Sequence, residues 1–148
     1  MADRLPTSLL MFIAHRYAEG QVYAAVREAG FVDFTIAQGR LAAGIDPDGT
    51  RLSVLAERAH VAKQTATALV DSLERAGYVE RAPDPVDGRA RLVRLTPRGV
   101  EVIPVARAEE RRIDDEWAQH LGPRRMCQLR EALERLREIT DPYADGEG

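Results

Sequence analysis

This chain of 148 residues has one cysteine, Cys127, so no disulfide can form within it. That excludes a disulfide-stapled secreted scaffold and leads us to expect a cytoplasmic protein. Long apolar runs are also missing. The longest, Leu9 to Ala14, falls well short of the ~20 residues that a membrane-spanning helix needs, so no membrane partner is expected. The opening stretch Met1 to Pro6 lacks the basic region and apolar segment of a secretory leader. Lysine is nearly absent: Lys63 is the only one among 21 basic residues, and the rest are arginine. The sequence has no phosphate-cradling glycine loop, no nucleophile motif and no cysteine–histidine pair at diagnostic spacing. Neither an enzyme nor a cofactor is therefore expected. His15/Glu19 and Glu116/His120 stand at i,i+4, but two ligands are too few for zinc. An exposed helical ion pair is the expected role of both, and no metal is assigned.

Hydrophobic residues make up 45% of the chain and charged residues 30%, enough for one domain with a real core. The net charge of −3 is unevenly spread. Residues 1–49 carry 4 basic and 6 acidic side chains, residues 50–96 carry 8 and 6, and residues 97–148 carry 9 and 12. Only the middle third is net positive, by two, which permits a nucleic-acid surface.

Apolar spacing and breakers divide the chain. Residues 6–29 read as a helix capped by Thr7 or Ser8, apolar on more than one side, ending at Gly30. Residues 32–43 read as a second short helix, followed by the Ile45 to Gly49 turn. Thr50 is a candidate N-cap for a helix over 51–59, broken at His60-Val61. Another helix spans 62–76 and stops at Gly77. Val79 to Ala82 and Arg91 to Leu95 read as the strands of a β-hairpin with a long, charged tip. Thr96-Pro97 starts a helix that could run to Leu121, with Pro104 expected to kink it. A last helix, about 124–140, bears the stripe Met126, Leu129, Leu133, Leu136 and Ile139. Asp145 to Gly148 read as a frayed tail.

Short helix, tight turn, second helix and hairpin with a basic tip together make the layout of a winged helix-turn-helix. Such a module lays its second helix in the DNA major groove, where base edges differ chemically. At 100° per residue, Ala66, Leu69, Val70 and Leu73 take the core side. Gln64, Ala68, Asp71 and Arg75 take the opposite side, with Lys63, Thr65 and Thr67 on the flanks. Lys63 can meet phosphate, Gln64 can pair with adenine in a bidentate way, and the threonine methyls suit thymine. Small Ala66 and Ala68 permit close approach. At the tip, Arg89 and Arg91 suit a narrow minor groove, and Asp87 is expected to pair with an arginine and fix the loop. The plain alternatives are an ordinary solvated helix face and a solvated charged loop.

Residues 52–99 resemble the DNA-binding core of the MarR family (multiple antibiotic resistance regulators). Leu55 to Arg81 matches its two helices and first wing strand. Asp84-Pro-Val-Asp-Gly-Arg-Ala-Arg-Leu-Val-Arg-Leu-Thr-Pro-Arg-Gly99 matches its wing signature, Asp-x-Arg followed by Leu-Thr-x-x-Gly. The resemblance implies a mainly α fold with a small β-hairpin wing, in one domain over 1–148. In it, helices at 6–31 and 97–143 dimerise and residues 32–96 form the winged lobe. It further implies a triangular homodimer on a palindromic double-stranded DNA operator, and a repressor released by a small aromatic or phenolic ligand. DNA-binding residues would be Lys63, Gln64, Thr65, Thr67, Ala68, Arg75, Arg89 and Arg91. Two departures stand out. Ala62 occupies a position usually held by a capping residue, which typically costs ~0.5–2 kcal/mol, and Gly88 loosens the tip. His15, Tyr17, Phe34 and Trp117 are conceivable ligand-pocket walls, though core packing is the expected role of each aromatic. Cys127, expected to be a small buried hydrophobe with Arg124, Arg125 and Arg130 nearby, carries an alternative redox-sensing role. A second alternative is a winged-helix module that binds another protein.

Overall fold

The computed structural model describes residues 4–143; the tail at 145–148 lies outside them. The chain divides into two compact units, one up to residue 109 and one from residue 110. The first contains helices α1 (Thr7–Glu28), α2 (Ile36–Ala42), α3 (Leu52–Arg58) and α4 (Lys63–Arg75). It also contains strands β1 (Thr50–Arg51), β2 (Val79–Pro83) and β3 (Arg91–Leu95), and the start of α5 (Pro97–Leu121). The strands form one antiparallel sheet in the order β1-β3-β2. The expected mainly helical winged layout is therefore present. Its sheet has one strand more than the hairpin alone.

Three local expectations are corrected. The cap of α1 is Pro6, with no side-chain hydrogen bond, and not Thr7 or Ser8. The Leu9 and Leu10 amides donate to the Pro6 carbonyl instead. The second helix begins at Ile36, not 32. Thr35 and Gln38 form a reciprocal capping box that fixes this start: the Gln38 amide donates to Thr35 Oγ1 at 3.2 Å, and the Thr35 amide to Gln38 Oε1 at 2.9 Å. The freed segment lets Phe31 and Phe34 turn their rings toward Tyr78, at centroid distances of 6.2 and 5.5 Å. Thr50 is not a helix cap. It is a buried strand residue opposite Val93, and its hydroxyl accepts the Asp46 amide at 2.8 Å.

The core lies between α2, α3, α4 and the sheet. Leu41, Leu55, Ala56, Ala66, Val70, Leu73, Tyr78, Val79 and Val93 are all buried. Burying a large aliphatic side chain contributes about 1.5–3 kcal/mol, so α4 is held chiefly by Val70 and Leu73. Gly77 follows α4 with φ 85°, a left-handed turn that brings the chain straight into β2. Pro83 ends β2, an edge strand, where a missing amide spoils no inner ladder. Thr96 caps α5 by accepting the Gly99 amide at 3.2 Å, and the helix then continues through Pro104 to Leu121. In the second unit, Gly122 at φ 85° precedes α6 (Pro123–Thr140). There Ile113 and Met126 are buried, and Arg130 pairs with Asp114 at 3.2 Å.

Apolar residues also lie on open faces. On α1, Leu9, Leu10, Phe12 and Ile13 are exposed and only Val26 is buried. On α6 the stripe Leu129, Leu133, Leu136 and Ile139 is exposed.

A Cβ at position 99 would lie 2.2 Å from the Tyr78 carbonyl oxygen, and neither backbone can yield cheaply. Gly99→Ala is expected to cost at least about 1–3 kcal/mol in urea unfolding, the usual range for forced overpacking. An unchanged midpoint would show that the start of α5 shifts freely.

Candidate nucleic-acid interface

The two surfaces expected to read DNA are set by the same core. Ala66, Val70 and Leu73 point inward from α4, with Leu69 half-buried beside them. Lys63, Gln64, Thr65, Ala68, Asp71 and Arg75 are thereby left exposed. Among the described residues no side chain pairs with those of Lys63, Gln64 or Thr65. Arg75 donates to Ser72 at 3.2 Å. Thr67 is half-buried, and its hydroxyl donates back to the Lys63 carbonyl at 2.9 Å. It has its methyl left for any outside contact. Ala62 stands at the N-cap in extended conformation and supplies no side-chain acceptor. The first amides of α4 therefore have no capping side chain, and an external oxygen acceptor can satisfy them.

The hairpin tip is organised by an acid other than the expected one. Among the described residues Asp87 forms no ion pair with an arginine side chain; it stays exposed and accepts the Arg89 amide at 3.1 Å. The pairing acid is Asp84, almost buried at 8% exposure. One of its oxygens accepts Arg51 Nε at 3.0 Å and Nη2 at 2.8 Å, while the other accepts the Val86 amide at 2.9 Å. The loop closes where the Asp84 amide meets the Ala90 carbonyl at 2.9 Å. These bonds, from the Val86 amide first and Arg51 second, hold the Asp84 carboxyl below the usual carboxylate range. Arg89 sits in the turn, and Arg91 opens β3 opposite Pro83; both are exposed. Val86, not singled out in the sequence, is 94% exposed on the same tip. Arg51 was missed as well, because β1 is only two residues long and shows no alternation to read.

The remaining candidates fall elsewhere. Cys127 is exposed, not buried, and its thiol lies 3.8 Å from the Glu131 carboxylate. It follows Met126 by one position, which turns it off the buried side of α6. Of the possible ligand-pocket walls, Phe34 packs against the core and Trp117 is half-buried, whereas His15 and Tyr17 are exposed and are not core residues. His15 instead joins Phe12, Arg16, Glu19, Ile36 and Arg40 in lining a cleft of about 260 Å³. His15 lies 3.7 Å from Glu19, the pair expected from its spacing, and Arg40 Nε donates to the same carboxylate at 2.6 Å. The Arg40 hydrogen bonds hold Glu19 below its ordinary range. Glu116 pairs with Arg112 at 2.9 Å. Among the described residues no group of three or more metal-ligating side chains converges, and no helix is long and apolar enough to cross a membrane.

Comparison with known proteins places residues 32–90 in a match to the MarR family model. An uncharacterized HTH-type transcriptional regulator of Mycobacterium bovis, Mb0904, is 40% identical over 63 residues, covering 43% of this chain and 41% of that protein. A second, ML2140 of Mycobacterium leprae, is 33% identical over 87 residues, covering 59% of this chain and 61% of that one. The matched stretch thus spans about two fifths of the first relative's length. A crystal structure of MarR superposes with a TM-score of 0.74 at 29% identity, covering 91% of this chain and 97% of that one.

The Asp84 geometry has a pH consequence. A carboxylate whose pKa is depressed by folding stabilises the fold above its unfolded value, about 3.9, and loses that contribution as pH falls through the lower folded value. Asp84→Asn is expected to lower the thermal midpoint at pH 7. The gap from the unaltered protein should close as pH drops below about 4. A gap of constant size from pH 7 to 3 would show that the charge of Asp84 is not what fixes the loop.

Proposed function

We propose, from the match of residues 32–90 to the MarR family model, that the chain is a sequence-specific double-stranded-DNA-binding transcriptional regulator of that kind. In this reading residues 32–96 are the DNA-binding lobe, and the helices within 6–31 and 97–143 pair two copies in the cytoplasm. One observation carries it. A helix whose apolar face is locked in the core presents unpaired polar side chains in its first turn, and the same sheet holds out a hairpin tip with Arg89 exposed. The helix suits a major groove, and the arginine-bearing tip suits the neighbouring phosphates or minor groove. Lys63 and the uncapped amides of α4 suit phosphate. Gln64, Thr65 and Ala68 are the residues best placed to meet base edges, with Arg75 at the far end of the same helix and Arg91 at the start of β3 as further cations.

The exposed apolar residues of α1 and, separately, of α6 favour a homodimer over a single chain, because such faces gain from burial in a twofold contact. A twofold pair implies a palindromic operator with half-sites about one helical turn apart. We read the regulator as a repressor relieved by a small aromatic or phenolic ligand. The cleft beside Phe12, His15 and Arg40 supports that reading, since it offers one aromatic ring and cationic edges.

Selection of bound fragments from sheared genomic DNA at two salt concentrations tests this. A short palindrome should be enriched, and its affinity should fall steeply as salt rises. Arg89→Ala is expected to weaken binding across sequences. Gln64→Ala is expected to relax choice at one base pair by roughly 1–3 kcal/mol. Absence of enrichment at low salt would favour a protein-binding role for the winged lobe. Light scattering should give twice the 16.4 kDa chain mass, and a monomer at micromolar concentration would sink the dimer.

A further inference from the structure

Asp71 is out of place on a DNA-reading helix. It follows Gln64 by seven positions, two helical turns, and precedes Arg75 by four, so it lies on the same exposed stripe of α4. Glu74 adds a second acid one turn on. Bare carboxylates there would face the phosphate backbone and oppose its approach. Both are met by one cation. Arg81, in the middle of β2 and opposite Val93, donates through Nη2 to Asp71 at 2.7 Å and through Nη1 to Glu74 at 2.9 Å. Its side chain is only 22% exposed, whereas those of Asp71 and Glu74 are 53% and 44% exposed.

We propose that Arg81 is a positioning and charge-masking residue for the reading helix. It draws Asp71 and Glu74 toward the edge strand and halves the negative charge that α4 would otherwise turn toward DNA. This rests on the DNA-binding reading of α4. Partly exposed ion pairs add little to stability, so a purely structural role predicts little effect of removing Arg81. Masking predicts a large effect on DNA affinity and almost none on folding. The forked guanidinium suits the task because it can face two acids at once, which a single ammonium on a flexible stem does less well.

The test uses the full-length protein and the fragment that the unaltered protein selects most strongly, read by fluorescence anisotropy at two salt concentrations. Arg81→Ala should weaken binding about tenfold at low salt, while the thermal midpoint stays close to that of the unaltered protein. Adding Asp71→Asn and Glu74→Gln to that variant should restore affinity to within about twofold, although the clamp itself is gone. Asp71→Asn with Arg81 intact should bind at least as well as the unaltered protein. Unchanged affinity in Arg81→Ala, or no recovery on neutralising the two acids, would overturn the masking role. Loss of affinity in Asp71→Asn would do the same and make Asp71 a base-reading acceptor. If the unaltered protein selects no fragment, the DNA-binding reading falls first and this one with it. That outcome is distinct from strong binding that is indifferent to position 81.

Discussion

Tyr78 is the point through which the first unit is held together. Its ring is buried at 3% exposure against Phe31 and Phe34, and its carbonyl accepts the Thr96 amide at 3.0 Å. The same carbonyl lies so close to Gly99 that no side chain fits there. Its hydroxyl donates to Asp33, and the Arg98 guanidinium covers the ring at 4.6 Å while pairing with Asp33 at 2.9 Å. One residue thus joins the α1–α2 connection, the start of β2 and the start of α5. The electrostatics agree with the geometry. The Tyr78 hydrogen bond holds Asp33 below the carboxylate range, and burial pushes the Tyr78 hydroxyl up. Asp33 and Arg98 are both partly exposed, so the polar cap specifies the position of the ring more than it adds stability.

With that frame fixed, the two candidate DNA-facing elements are positioned by opposite means. α4 is placed by apolar contacts on its inner face, so its outer face is free of structural duty. The hairpin tip is placed chiefly by polar contacts, with the Asp84 carboxylate at their centre. Asp84 divides its oxygens between the loop amides and Arg51, tying the tip to the far strand of the sheet across 33 positions of sequence. This also explains why Arg89 and Val86 can stand so open. The loop uses the backbone amides of both and the side chain of neither.

How much of this was legible depended on the length over which each signal repeats. The helices over 51–59, 62–76, 97–121 and 124–140 follow the 3.6-residue period for two turns or more, and all are present within a residue or two. β1 has two residues and no period, so Thr50 was read as a cap instead of a strand. The Thr35–Gln38 capping box stands in the sequence at the right spacing, but it is a signal of two residues with no period, and it moves the start of the helix expected over 32–43 to Ile36. At the tip, Asp84 and Asp87 are three positions apart and chemically identical. Only Arg51, brought alongside by the sheet, decides between them. Arg81 was hidden for the same reason: its partners lie seven and ten positions back, at no regular helix or strand interval.

The uncapped start of α4 shows how local weakness and surface chemistry fit together. A missing cap costs roughly 0.5–2 kcal/mol, which an isolated helix of 13 residues could ill bear. Here Ala66, Val70 and Leu73 are each 1% exposed or less, and their burial exceeds that cost several times over. Tertiary packing therefore relieves the first turn of any need for self-satisfaction. A capping side chain at position 62 would occupy the very amides that a phosphate oxygen would use. Alanine leaves them open, so a cap restored there would stabilise the helix and compete with an anion at the same place. The same trade recurs along the stripe. The core holds α4 regardless of what lies outside, so its outer face can carry Lys63, Gln64 and even Asp71, provided that Arg81 answers the acid from the neighbouring strand.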